Sequence, residues 1–284
     1  MTDSANEDWI IKPAYRPAGG VKSTITEYVG AKLAQRMGMP VPDHEVLYLS
    51  TKLIANESEL SNFGSGLVVG SRYEEGLDLA MVEQRLKWST VAGGVLGNLR
   101  GHNYHNTIGI MVGDTWMANG DRSLGILGPS YAMPGHNTQN LGNLYFKLVE
   151  NTKNEYVIRG IDFGHLFWGN TWGVGTSQTQ WPDVIFGAMS FFFKIKLLTQ
   201  DYNNHAVDCQ SWINDILRLD FQKEFRQIVN EIPSEWLIGM TGVSQSLGSA
   251  DWDDLMVRLE QRRNVLNSIM VNTYQATAAR YRTR

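Results

Sequence analysis

Cysteine is almost missing from this chain: Cys209 is the only one in 284 residues. An internal disulfide is therefore excluded, and the composition fits a reducing compartment, so the expected location is cytoplasmic. An excess of positive charge is missing too, because 25 Lys and Arg stand against 29 Asp and Glu, for a net charge of −4. That balance argues against a general nucleic-acid binder, which needs a basic stripe to displace counterions. Long apolar runs are also lacking. The longest, residues 184–193, is too short to span a bilayer and is followed by Lys194 and Lys196. The opening residues, MTDSANEDWI, are polar and acidic and contain no apolar signal-peptide core. No transmembrane segment and no specific nucleic-acid partner are expected.

What the chain does have is ample material for a core: 43% apolar residues, with 9 Trp, 11 Tyr and 10 Phe. Residues 8–13 (DWIIKP) read as a short strand and 16–20 as a loop. From Ser23 the pattern turns helical, with Ile25, Tyr28, Val29, Leu33 and Met37 at mostly three- and four-residue spacing until Gly38 stops it. Residues 44–50 and 52–56 (KLIAN) look like two further strands. An apolar strand between glycines, within 62–76, reads as a linker between lobes. Helical patterns dominate from Leu79 to about residue 116. A Gly/Pro/Asn-rich stretch, 123–142, precedes LYFKLVE, the turn NTKN and YVIRGID, which together read as a β-hairpin. From about Trp181 the chain reads as helices. No internal repeats appear. The pattern predicts an α+β protein with a small β-rich lobe over residues 1–70 and a larger, mostly helical lobe over 71–284.

The chemistry centres on the stretch VIRGIDFGHLFWGN, residues 157–170, where Asp162 follows a buried-looking strand. A carboxylate there is costly unless something positive meets it. A second acid, Asp121, follows Asn119 in ANGDR, ahead of the hairpin. Two acids on either side of a hairpin suit phosphoryl transfer: one faces the acceptor hydroxyl and the other holds the metal that bridges the phosphates. Lys12, on an N-terminal strand, can reach phosphate oxygens, and Glu27 on the helix can orient that lysine.

These residues resemble a known family. Asp114, Trp116, Asn119, Asp121 and Arg122, with the later IDFGHLF, are similar to the catalytic core of HipA-like kinases. GDR followed by IDFGH is also similar to the phosphoinositide kinases, within the protein-kinase-like superfamily. WIIKP, TEYVGAKLAQRMGMPVPD and GLVVGSRY extend the likeness over roughly residues 8–170; the C-terminal helices carry no matching motif. DFG and GDR each arise by chance, so the specificity lies in their order.

The resemblance implies a bilobal protein-kinase-like fold using ATP and Mg²⁺. In that reading Lys12 holds the α/β-phosphates, Glu27 pairs with it, and the backbone at Val68, Val69 and Gly70 meets the adenine edge. Asp121 orients or deprotonates the acceptor hydroxyl, and Asp162 binds Mg²⁺. Asn119 steadies the catalytic loop, while Arg122 and His165 support the reacting groups from behind. The implied activity is transfer of the γ-phosphoryl group to a hydroxyl on a protein Ser or Thr.

Two departures from the family pattern stand out. Only eleven residues precede Lys12, which leaves little room for a glycine-rich phosphate loop upstream; PAGGVKST, with the paired Gly19 and Gly20 ahead of Ser23 and Thr24 at a helix start, could supply phosphate-binding amides instead. The position five residues after Asp121, where a metal-binding asparagine is expected, holds Ile126, and an aliphatic side chain cannot ligate Mg²⁺. Asn143, just ahead of LYFKLVE, is the candidate ligand if residues 123–142 are an insertion.

Plainer readings stand beside these. Asp162 could be a turn cap, Asp121 and Arg122 a surface ion pair, Lys12 an edge-strand lysine, Glu27 a solvated helix residue and Asn143 a turn asparagine. His102 and His105 are one residue short of the helical metal-ligand spacing, so zinc is not expected. FFFKIKLL is read as a buried helix rather than a membrane contact. The rival functions are a pseudokinase or nucleotide-binding regulatory module, and a lipid or small-molecule kinase.

Overall fold

The computed structural model describes residues 1–12, 20–60, 63–78, 102–117, 119, 144–150, 156–164, 206–237 and 249–282. Among them lie two three-stranded antiparallel sheets and seven α-helices. Helix and strand are mixed, as the sequence pattern predicts.

The first sheet is ordered β1–β3–β2, from β1 (Trp9–Lys12), β2 (His44–Leu49) and β3 (Gly66–Arg72). Its central strand pairs Lys12 with Val69 on one side and Val46 with Val69 on the other. β3 runs on to Arg72. Helix α1 (Gly20–Arg36) lies between β1 and β2 in sequence and packs on β2 and β3. Every residue from Thr24 to Ala31 is buried, so this helix is enclosed rather than amphipathic. It ends where the spacing predicts. Gly38 has φ 73°, and the N–H groups of Gly38 and Met39 donate to the carbonyls of Gln35 and Ala34, closing the end of the helix with a left-handed glycine.

One strand read from the sequence is a helix. Residues Lys52 to Asn56 belong to α2 (Thr51–Asn56), not to a strand. The Ser50 hydroxyl accepts from the N–H of Leu53 and caps the first turn. No side chain of α2 is buried, so no sheet face rewards an extended conformation. A five-residue segment with three apolar residues does not distinguish the two states by periodicity, and the capping serine decides it.

The second sheet is ordered β4–β5–β6, from β4 (Gly76–Asp78), β5 (Leu144–Leu148) and β6 (Tyr156–Gly160). β5 and β6 form the predicted hairpin, with Phe146 opposite Ile158, both fully buried. β4 was not read from the sequence as a separate strand. Gly76 lets it approach, since a Cβ there would lie 2.1 Å from the Phe146 carbonyl oxygen. The N–H of Gly160 donates to the Pro40 carbonyl at 2.8 Å, tying the end of the hairpin to the turn between α1 and β2.

The remaining helices are α3 (His102–Trp116), α4 (Ala206–Arg218), α5 (Phe221–Glu231), α6 (Ser234–Leu237) and α7 (Ser249–Arg282). α3 packs on β6, α4 and α7, so one helix carries the hairpin on the helical core. Aromatic rings fill that core in sequence: Trp116 meets Phe221 at 5.3 Å, Phe221 meets Phe225 at 5.5 Å, and Phe225 meets Trp252 at 6.2 Å. Trp236 joins this core to the first sheet, with its edge on Tyr28 and its indole N–H on the Leu67 carbonyl. No helix among the described residues is long and apolar enough to cross a membrane.

Candidate active site

Three charges from distant parts of the chain meet at one point. The Lys12 ammonium, at the end of β1, donates to Oε2 of Glu27 at 2.8 Å and to Oδ1 of Asp162 at 2.9 Å. The side chain of Glu27 is 3% exposed, that of Lys12 21% and that of Asp162 32%. Burial alone would push the Glu27 carboxyl up. The Lys12 charge, with a further contribution from the adjacent His44 ring, outweighs it and holds the carboxyl well below the usual carboxylate range. Burial likewise opposes a charged Lys12, yet Glu27 and then Asp162 outweigh it and raise the lysine above its ordinary value. Both groups are therefore ionised, each stabilised by the other.

Backbone geometry aims Asp162 at this point. β6 ends at Gly160, and Asp162 takes φ 60°, in the left-handed region that aspartate tolerates better than most side chains. The chain thereby turns its carboxylate off the strand toward Lys12. Phe163 follows, fully buried. The positive group that meets Asp162 in this structure is thus a lysine.

Lys12, Glu27 and Asp162 line a cavity of about 130 Å³, together with Ser71, Arg72 and Glu74 from the end of β3 and the residues after it. Val68, Val69 and Gly70, expected to meet an adenine, do not line it. Val69 and Gly70 pair with strands on both sides of β3, and Val68 pairs with Leu47 of β2. The cavity meets the same strand further along, where the ladder is ending.

Glu74 is a residue the motifs did not single out. Its carboxylate accepts from Lys147 at 2.9 Å and from Arg159 at 3.1 Å, and its carbonyl accepts from the Tyr145 hydroxyl. This fastens the segment after β3 to the hairpin that carries Asp162. Two-residue alternation could have found the cluster: Tyr145 and Lys147 share one face of β5, and Arg159 is opposite Tyr145.

Asn119 is fully buried, and it donates from its side chain to Oδ1 of Asp114 and from its backbone to the Asp114 carbonyl. The end of α3 is held from the other side by Arg262 on α7, whose guanidinium donates to the carbonyls of Trp116, at 2.7 Å, and Thr115. Burial pushes this guanidinium down to about 9. A cation at a helix C-terminus meets the carbonyls the helix leaves unpaired. No motif in the C-terminal helices signals Arg262. His105, considered for zinc, pairs with Asp208 at 3.0 Å and stacks on Trp212.

Gly20 is the first residue of α1, so its amide is among those a helix start leaves unpaired. Gly19, Asp121, Arg122, Ile126, Asn143 and His165 lie outside the described residues. Among the described residues no group of three His, Cys, Asp or Glu could hold a metal alone. Magnesium commonly takes one or two protein carboxylates and fills its shell with phosphate oxygens and water. A single aspartate, Asp162, beside a lysine that suits phosphate, fits a metal bound jointly with nucleotide phosphates.

A family model described as HipA-like kinase matches residues 3–133. It bears out the resemblance carried by the motifs, over a span that stops short of the hairpin and Asp162. Among solved structures, the Helicobacter pylori proinflammatory kinase CtkA is similar over 99% of this chain and 94% of its own, at 15% identity and a TM-score of 0.47. No curated protein matches the sequence.

Proposed function

We propose, from the premise that residues 3–133 match HipA-like kinases, that this chain is a kinase that moves the γ-phosphoryl group of ATP to the hydroxyl of a protein serine or threonine. One observation carries the reading: Lys12 is held between Glu27 and Asp162 on the wall of a cavity. A lysine fixed by a buried acid presents its charge in one place, which suits phosphate oxygens.

In this reading Lys12 faces the phosphates and Glu27 keeps it there. The backbone at Val68, Val69 and Gly70 meets the adenine edge, and Ser71 and Arg72, further along the same strand, border the base. The amides of Gly19 and Gly20 meet phosphate oxygens at the start of α1. Asp121 takes the proton of the acceptor hydroxyl as its oxygen bonds to the γ-phosphorus and the bond to the bridging oxygen breaks, releasing ADP. Asn119 and Arg122 hold the segment around Asp121. Asp162, with Asn143 as a second ligand, holds magnesium, which when bound neutralises charge on the phosphates. Residues 1–70 act as the nucleotide-binding lobe of a two-lobed, cytoplasmic enzyme, with residues 71–284 carrying the catalytic segments.

Incubation of the full chain with labelled ATP and Mg²⁺ tests this. Self-labelling, or labelling of an added protein, that disappears in Lys12→Met is the expected result. Nucleotide binding without any transfer would instead make the chain a pseudokinase. Label passing only to an added lipid would overturn the protein acceptor.

A further inference from the structure

His44, the first residue of β2, is 1% exposed. Its Nδ1 lies 2.9 Å from the Pro42 carbonyl. A carbonyl has no proton to give, so Nδ1 carries one and donates. Nε2 is buried without a hydrogen-bond partner among the described residues, and it stands 3.6 Å from Oε1 of Glu27. Buried polar atoms are seldom left unpaired, and this one points at the acid whose other oxygen holds Lys12. The same ring meets Phe163 edge to face at 6.3 Å, and Phe163 follows Asp162. One buried imidazole therefore adjoins both supports of Lys12, Glu27 directly and Asp162 through its neighbour.

The charges around the ring decide what Nε2 can do. Glu27 faces it from α1, with Lys12 of β1 on the far side of that carboxylate. Asp162 immediately precedes Phe163 in the chain. Asp43 precedes His44 and is paired with Arg72 of β3, which also takes Glu7. Glu27 is the acid that its free nitrogen approaches. With Nδ1 protonated, a neutral ring would aim a lone pair at a carboxylate oxygen. A second proton on Nε2 turns that opposition into a charge-assisted hydrogen bond once the gap closes.

We propose that His44 is a positioning residue for Lys12: protonated on both ring nitrogens, it holds Oε1 of Glu27 so that Oε2 stays on the lysine. The role rests on the reading of Lys12 as the phosphate-binding lysine. His44 itself touches no substrate.

The test compares the full-length parent with His44→Gln, which keeps an N–H donor, and His44→Phe, which keeps only a ring against Phe163. Acetic anhydride modification of Lys12, followed by mass spectrometry without nucleotide, reads how firmly the ammonium is held. His44→Phe is expected to raise Lys12 modification about tenfold, the lower bound for losing a hydrogen bond to a charged group, while His44→Gln stays near the parent. Equal modification in a folded His44→Phe overturns the proposal. If His44→Phe does not fold, nitrogen NMR of the parent ring decides: a proton on Nε2 supports the proposal and a bare Nε2 overturns it. Neither measurement uses ATP, so absence of phosphate transfer in the parent refutes the kinase reading alone. In an active parent, His44→Phe lowers transfer and His44→Gln restores it.

Discussion

The pair formed by Lys12 and Glu27 shows how a buried charge is tolerated: each ion has the other, and Lys12 has Asp162 besides. Its pH dependence follows from the directions of the shifts. The Glu27 carboxyl is held below its ordinary 4.5. Its stabilisation is complete above that value and is lost as pH falls through the folded-state value. Lys12 is raised above 10.5, so its contribution is complete below that and is lost as pH rises through its folded value. Between these limits the pair adds a constant amount. In Glu27→Gln, urea midpoints should therefore fall less steeply than the parent's as pH drops below the ordinary glutamate range, although the variant is weaker at neutral pH. A parallel decline in both proteins would mean that Glu27 is not the linked group. A second prediction concerns Asp121. If it orients the acceptor hydroxyl, Asp121→Asn keeps ATP affinity and lowers transfer by about 10²- to 10⁴-fold in a labelled-ATP assay.

At the scale of elements, α7 and α3 are coupled through backbone carbonyls rather than through apolar contact alone. Arg262 caps the end of α3, and the Trp116 indole donates back to the Leu259 carbonyl of α7 at 2.9 Å. Replacing Arg262 with Met leaves these carbonyls without a donor that the native protein supplies. The expected loss is about 3–6 kcal/mol from two hydrogen bonds of a charged donor, measured by urea unfolding, with Arg262→Lys losing less because it keeps the charge. Since α3 leads through Asn119 to Asp121, Arg262→Lys should also lower phosphate transfer while leaving ATP affinity within about twofold of the parent, a change of under half a kcal/mol. Equal losses in affinity and transfer would place the effect on the whole fold instead.

Over the whole molecule, the candidate site joins the first sheet, α1 and the hairpin, and the helical core supports it through Trp236 and α3. A ligand bound across these elements stabilises all of them together. Mg²⁺ and ATP at about a hundred times Kd should therefore contribute roughly 2.7 kcal/mol to unfolding, read as a rise in Tm. In Asp162→Ala the part of that rise that depends on magnesium should vanish. A rise equal to the parent's would remove Asp162 from metal binding and leave it as a partner of Lys12.

Several features were settled by local sequence alone. The helical course of α1, its glycine stop, β1 and the hairpin follow from side-chain spacing and turn residues, because these act over a few positions, whereas the burial of the whole circumference of α1 does not. The motifs also single out Lys12, Glu27 and Asp162, the three charges that the fold brings together. KLIAN shows the limit of such reading: a short apolar run suits a strand or a helix, and its fate depended on the Ser50 hydroxyl and on the lack of a surface to cover it. Other features needed the tertiary structure. The lining of the cavity beside Lys12 by Ser71, Arg72 and Glu74 is visible only once β3 is placed between β1 and β2. His44 and Arg262 gain meaning from acceptors they meet in space, and nothing in their own neighbourhoods along the chain marks them. Lys12 and Asp162 are separated by 150 positions, and their 2.9 Å contact exists because Gly160 is tied to Pro40 and Asp162 turns its backbone. Spacing along a chain encodes which face a side chain takes, whereas the partner of a charge is decided by where the fold brings the two together.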